Sequence, residues 1–345
     1  MFLDNAYCDW NEEKDSVFTW FNANYRTIID KDVFVFLNLE GSQLGDALPS
    51  DVAAGKTFTS ANGLKITGTA TGNSTNFYDN YTYTGSAEFI DDGDDNWRIK
   101  FLTSGTLTVK EDRFVDIFAV GGGGNGGTGT ATNSSSSGGT TYGGGGAGGG
   151  GGYTTTVKGT TLPAGTYTVT VGAAAGKSSI TNEDATITYC TANGGKSGSA
   201  GTADDQKGGN GGSGGGAGDI GTNPPGKGGS NGSNGDSTAN CTGGTGQGTT
   251  TREFGEATGD LYAGGGGAGG AHTTYSSGTI AYKAGGTGGA GGGGNGGSNG
   301  TLATAGGANT GGGGGGGAGI TSYTTRGAGG TGIVIIRNMR VTTAG

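Results

Sequence analysis

The sequence predicts an all-β fold: a jelly-roll-like β-sandwich carrying an inserted bundle of polyglycine-II helices, preceded by a small β-rich N-terminal region. Three observations lead there. Short alternating or β-branched runs recur along the chain, glycine tracts of one repeated form lie between them, and helical periodicity is nearly absent.

The strand-like runs are Trp97–Leu102, Thr106–Val109, Phe114–Val120, Tyr153–Val157, Thr166–Val171, Ala185–Cys190, Thr279–Lys283 and Gly332–Arg337. They are rich in Val, Ile, Thr, Tyr and Phe, side chains that fit a pleated, half-buried surface. Pro163-Ala-Gly-Thr166 reads as a turn between two of them. Upstream, Lys56–Thr59 and Leu64–Thr67 flank Ser60-Ala-Asn-Gly63. The Asn-Gly pair suits φ > 0, so this segment reads as a hairpin.

Glycine supplies 88 of 345 residues: 9 in residues 1–120 and 79 in residues 121–345. Charge divides at the same place. Residues 1–120 carry 19 Asp+Glu and 9 Lys+Arg, net −10; the rest carry 9 and 10, net +1. With only 4 prolines, a collagen triple helix is excluded. A flexible linker fits poorly, because the tracts repeat one unit: four glycines, one Asn or Ala, two glycines. That unit stands at Gly121–Gly127, Gly143–Gly149, Gly264–Gly270 and Gly291–Gly297, and Gly311–Gly317 is unbroken.

Ordering such a tract costs roughly 1–2 kcal/mol per residue in backbone entropy, with no side chain to bury in return. Compensation has to come from the backbone. A polyproline-II-type helix has three residues per turn and no internal hydrogen bonds, so its N–H and C=O groups need outside partners. All-glycine helices can approach one another on every side and supply those partners, with Cα–H···O contacts added. Interior helices must then be nearly pure glycine, while edge helices tolerate side chains outward. Thr287 and Ala290, three apart, fit such an edge.

These segments carry a family resemblance. Phe118-Ala-Val120 runs into Gly121–Gly124, then comes Leu162-Pro-Ala-Gly-Thr-Tyr-Thr-Val-Thr-Val-Gly172, and Gly329-Gly-Thr-Gly-Ile-Val-Ile-Ile-Arg337 closes the order. Over roughly residues 97–340 this resembles the glycine-rich domain of bacteriophage tail proteins, related to that of receptor tyrosine kinases of the anaplastic lymphoma kinase type. Similar phage domains include tip adhesins of long tail fibres. The resemblance implies receptor-binding loops held by stacked polyglycine helices. Residues 48–69 also resemble a short β-module of phage tail proteins.

The expected organisation is a docking segment over 1–45, a hairpin module over 46–75, a linker over 76–96 and the glycine-rich sandwich over 97–345. Trp10, Phe18, Trp20 and Phe21 give the first segment an aromatic density suited to docking on a partner. By the resemblance, that partner is another virion (tail) protein. The location implied is the phage particle, with synthesis in the host cytoplasm and homo-oligomers such as a trimer. Met1-Phe-Leu-Asp-Asn5 lacks the pattern of a secretory signal.

The side-chain-rich insertion Thr251–Tyr262 is the leading recognition candidate. Arg252, Phe254 and Tyr262, with His272, Tyr275 and Tyr323, offer aromatic and charged groups on otherwise bare backbone, the residue types favoured as interface anchors. The competing reading is that they cap glycine helices or join the sandwich core. The resemblance implies a host surface glycan or protein as ligand. A virion tail, head-fibre or decoration protein without a receptor is the first alternative, and an ice-binding polyglycine protein the second.

Other chemistries find little footing. Gly172-Ala-Ala-Ala-Gly-Lys-Ser178 and Ala54-Gly-Lys-Thr57 contain G-K-[ST], but the earlier glycine of a phosphate loop is replaced by Val171 and Ser50. Asp91, Asp92, Asp94 and Asp95 form a weak candidate calcium loop, without EF-hand spacing or its closing glutamate. His272 is the sole histidine and no G-x-S-x-G elbow is present, so no enzyme and no cofactor are expected. An overall charge of −9 without a basic patch disfavours nucleic acid. The apolar stretch Val33–Leu37 is far too short to insert in a membrane. Cys8, Cys190 and Cys241 stand far apart, reading as free thiols.

Overall fold

A computed structural model describes residues 57–60, 63–67, 80–93, 96–136, 140–201, 206–218, 251–320 and 322–338. The chain divides into two compact units, Met1–Asp79 and Asn80–Gly345. In the first, β1 (Thr57–Ser60) and β2 (Gly63–Thr67) form the expected antiparallel hairpin.

The second unit is an all-β sandwich. Its strands are β3 (Tyr81–Tyr83), β4 (Ala87–Gly93), β5 (Asn96–Phe101), β6 (Gly105–Val109) and β7 (Arg113–Val120), then β10 (Thr154–Leu162), β11 (Gly165–Thr170), β12 (Ser178–Asn182), β13 (Thr188–Ala192) and β16 (Ile333–Asn338). One sheet has the order β10-β7-β16-β5-β4 and the other β13-β12-β11-β6-β3. All their pairings are antiparallel. Between the sheets, Ile99, Phe101, Ile117 and Val334 meet Leu107, Val169 and Ile180, all fully buried. Tyr83 leans on Phe101 with ring centroids 4.7 Å apart.

Several boundaries differ from the sequence expectation. The 76–96 segment holds β3 and β4, so the sandwich begins near Asn80. Carboxylates at Glu88, Asp91 and Asp92 hide an edge strand, where alternation matters more than mean polarity. The run expected to start at Ala185 is a turn up to Ile187. Ala185 has φ +58°, and Asn182 accepts the Ile187 N–H through Oδ1 at 2.7 Å. The Pro163 turn joins strands of different sheets, making it a corner, and the Tyr167 hydroxyl donates to the Pro163 carbonyl.

Val120 and Ile333 are register partners, so the chain leaves this sheet into glycine and closes it from glycine at one point. Outside the strands, backbone bonds follow a three-residue rotation. The N–H groups of Gly121, Gly124 and Gly127 donate to Tyr153, Gly150 and Ala147. Those of Gly123, Gly126 and Gly129 donate to Gly330, Gly327 and Thr324. The carbonyls of Gly122, Asn125 and Thr128 accept from Gly195, Gly198 and Gly201. All nine bonds span 2.7–3.0 Å.

The run Gly311–Gly317, continued by Ala318 and Gly319, is buried throughout. It donates to tracts containing Gly124, Gly267 and Thr304, and accepts from tracts containing Gly149, Gly294 and Gly327. Such approach leaves no room for a side chain: a Cβ on Gly315 or Gly316 would fall onto the carbonyl of Asn295 or Gly146. Asparagine fits where its side chain replaces a backbone acceptor. Asn125 Oδ1 accepts from Gly329 N at 3.0 Å and Asn295 Oδ1 from Gly288 N at 2.8 Å. Ala284, Thr287 and Ala290 are all exposed, as expected for an edge tract.

Pairings such as Gly121 with Tyr153 and Gly152 with Gly311 mark the sandwich end of the tracts. The reversals lie at the other end. They are β8 (Thr130–Ser136) with β9 (Thr140–Gly144), β14 (His272–Thr274) with β15 (Ile280–Tyr282), the Ser298–Thr301 turn, and the point where Tyr323 N donates to the Ile320 carbonyl. The strands there form a four-stranded sheet ordered β15-β14-β9-β8.

Gly316→Ala is therefore expected to destabilise the fold by about 3 kcal/mol or more, because the obstructing atoms are backbone and cannot swing aside. Ala308→Ser, at an exposed edge, is expected to stay within about 0.5 kcal/mol. Urea unfolding of both variants checks the contrast.

Candidate functional site

The Thr251–Tyr262 insertion covers the second face of the β7–β16–β5 sheet. Alternation along β7 sends Ile117 between the sheets and Phe118 and Val120 to this outer face, beside Ile333 and Ile335 of β16. Phe254 and Tyr262 pack there, with centroids 6.1 and 5.5 Å from the Phe118 ring. They are 1% and 5% exposed, so both leave the set of surface anchors and join the core. Phe254 adopts φ +55°, a left-handed conformation costly for a bulky residue, held by a single 3-10 turn, Glu253–Gly255, and by its burial.

An ion cluster surrounds these rings. Asp116, Arg337 and Arg98 are register partners across β7, β16 and β5. Arg337 Nε lies 3.1 Å from Asp116 Oδ2, another of its nitrogens pairs with Glu256, and its guanidinium sits 4.0 Å over the Phe254 ring. Glu253 receives Arg98, Lys100 Nζ at 2.6 Å and the Tyr262 hydroxyl at 2.7 Å. Burial alone would raise the Glu253 pKa. The hydrogen bonds from Lys100 and Tyr262 and the charges of Lys100 and Arg98 outweigh it, holding the carboxyl below its usual range. Burial, followed by the Glu253 charge, pushes the Tyr262 hydroxyl upward.

An open cleft of about 510 Å³ borders this cluster, reached by Lys100, Arg252, Asp260 and Asn309. Asp260 is largely exposed, and the other three polar groups are already engaged. Lys100 serves Glu253, Arg252 donates to the Gly259 carbonyl, and Asn309 Nδ2 donates to the Leu102 and Gly332 carbonyls at 2.7 and 3.1 Å. The insertion is a strap across the sheet.

The other candidates lie at the reversals. His272 is in β14 and its Nδ1 bonds the Gly319 carbonyl. Its ring is tilted 36° to that of Tyr282, 6.3 Å away. Tyr275 is 48% exposed, and Ile280 and Tyr282, which sequence reasoning passed over, are 46% and 47% exposed. The signal was present: in Thr279–Lys283, period two puts Ile280 and Tyr282 on one face. Tyr323 is half-buried, and its carbonyl accepts from Ala318 N. The structure thus gathers His272, Tyr275, Ile280 and Tyr282 on one hairpin and separates them from Arg252, Phe254 and Tyr262.

The motifs that imitate known sites have local structural roles. Ser178, fully buried, donates from Oγ to the Val120 carbonyl at 2.6 Å and accepts from Gly172 N at 3.0 Å. Asp91 Oδ1 accepts from Gly93 N, and Asp92 pairs with Arg98 at 3.0 Å. Asp94, Asp95, Trp10, Phe18, Trp20, Phe21, Ala54 and the thiols Cys8 and Cys241 lie outside the described residues. Among the described residues no group of three or more His, Cys, Asp or Glu could hold a metal, and no helix is long and apolar enough to cross a membrane. Cys190 is a free thiol, which burial pushes up to about 12.

Two outcomes are expected at the strap. Glu253→Gln takes from Lys100 its close carboxylate and leaves Arg98 with Asp92 alone, and should cost about 3 kcal/mol in denaturant unfolding. Because the folded pKa of Glu253 is depressed, its stabilisation is complete above the unfolded value near 4.3 and is lost as pH falls through the lower folded value. Melting temperature followed downward from pH 6 should therefore fall more steeply below pH 4.3 in the native chain than in the variant.

Comparison with curated proteins and with solved structures gives no match. A protein family described as "Glycine-rich domain" does match, over residues 102–339, from the end of β5 to the end of β16. With its strap, tracts and closing strand all inside that span, the chain belongs to the glycine-rich domain family.

Proposed function

We propose that the tracts are polyglycine-II helices and that the chain is a non-enzymatic bacteriophage virion protein, a tail-fibre or receptor-binding component. On this reading it recognises a host surface glycan or protein through the reversals at the end of the tracts away from the sandwich. The first residues attach it to other tail proteins.

One observation carries the recognition reading. Tyr275, Ile280 and Tyr282 stand about half exposed on the β14–β15 hairpin, beyond a body that is otherwise almost bare backbone. Large side chains left in solvent at the end of a rigid support suit contact with a partner, where Tyr is a favoured anchor. The three-residue rotation of hydrogen-bond partners supports the polyglycine-II conformation, which has three residues per turn. Engagement of the sole histidine with the Gly319 carbonyl supports a structural over a catalytic role.

The purified chain should adsorb to a susceptible host and compete with phage. Tyr275→Ala combined with Tyr282→Ala should weaken adsorption by about tenfold or more while leaving the melting temperature unchanged. Full adsorption by the double variant removes the hairpin from the account. Failure of the native chain to adsorb or compete supports the receptor-free virion reading, in which electron microscopy locates it on a shaft or capsid.

A further inference from the structure

We propose that Asn299 is a built-in deamidation site at the end of the tracts away from the sandwich, while Asn125 and Asn295, also followed by glycine, are protected by the backbone lattice. The inference rests on hydrogen bonding and covalent chemistry and is independent of the proposed receptor.

In an Asn-Gly pair the glycine nitrogen attacks the asparagine Cγ, unhindered by a side chain on the attacking residue. A new C–N bond closes a five-membered imide. The amide nitrogen leaves as ammonia, taking up the proton that the glycine nitrogen loses. Water then opens either imide carbonyl, giving aspartate or isoaspartate. The step consumes one water, releases one ammonia and needs no other reactant. It does need a free glycine N–H and a side-chain amide able to swing over it.

The three sites share this chemistry and differ in restraint. At Asn295 the Gly296 N–H donates to the Gly286 carbonyl at 2.9 Å, and Oδ1 is held by Gly288 N at 2.8 Å. Its own N–H donates to Thr304 Oγ1 at 2.7 Å, and its carbonyl accepts from Thr304 N at 2.9 Å. At Asn125 the Gly126 N–H donates to the Gly327 carbonyl at 3.0 Å and Oδ1 is held by Gly329 N. Asn299 and Gly300 instead form the two-residue tip between Ser298 and Thr301, which exchange bonds of 2.9 and 3.1 Å. Both are exposed, and neither the Asn299 side chain nor the Gly300 N–H has a hydrogen-bond partner among the described residues.

Exposure alone does not make the distinction, because Asn295 is exposed as well. Fixation of the attacking N–H and of the side-chain amide does. Asn193 and Asn210 are exposed and followed by glycine too; their carbonyls accept from Tyr153 N and Lys196 N, which fixes the tract backbone, although the Gly194 N–H has no hydrogen-bond partner among the described residues. Reaction at Asn299 adds one negative charge at a reversal, and the isoaspartate product lengthens the backbone of the turn by one carbon.

The test incubates the full chain at mildly alkaline pH, followed by tryptic digestion and fragment-resolved mass spectrometry. No Lys or Arg lies between Lys283 and Arg326, so one peptide reports both asparagines. The folded chain should deamidate at Asn299 at least about tenfold faster than at Asn295, the scale set by releasing the two extra bonds. In denaturant the two rates should converge. Equal rates in the folded chain, or faster reaction at Asn295, would overturn the proposal. A difference that persists in denaturant would also overturn it, by assigning the effect to local sequence.

Discussion

Neighbouring glycine tracts lie so close that a carbonyl oxygen occupies the place a Cβ would take, and the rest of the structure depends on that closeness. The amides and carbonyls of a tract point in three directions in rotation, so each tract needs neighbours on several sides. Bond lengths of 2.7–3.0 Å are reached only when the neighbours also lack side chains. Composition thus follows from hydrogen-bond accounting. Asparagine enters at Asn125 and Asn295 because each returns an acceptor to the lattice. Larger side chains are displaced to edges and reversals, where solvent replaces a neighbour.

Such a lattice has little apolar surface with which to hold itself, and the sandwich supplies it. Val120 beside Ile333 pins the start and end of the glycine excursion in one sheet. That sheet is buried on both faces, by the second sheet on one and by the strap on the other. The strap's ions are costly to bury and would be a poor source of stability taken alone. Their value lies in position: Arg98, Lys100 and Arg337 each meet a strap carboxylate, fixing where Phe254 and Tyr262 land on Phe118. The strap then delivers Ala263 to the first glycines of its tract.

Strands that are near-continuous apolar and β-branched runs, such as Phe114–Val120 and Gly332–Arg337, were legible because the signal is local. The repeated glycine unit and the outward Thr287 and Ala290 were legible for the same reason. The acidic β4 and the serine-led β12 escaped because their pairing is decided by neighbours distant in sequence. The strap misled in the opposite direction. Arg252, Phe254 and Tyr262 are the residue types of an interface, and only the tertiary fold shows that Phe254 and Tyr262 face inward. Ile280 and Tyr282 read as ordinary strand residues; their exposure follows from β15 being the outer strand of its sheet.

Amide hydrogen exchange tests the central claim most directly. If the lattice of backbone bonds is the core of this half of the molecule, the amides of Gly313–Gly317 should exchange only through global opening, as slowly as those of β7 and β16. Exchange of those glycines at the rate of an unstructured chain, while β7 and β16 stay protected, would contradict it.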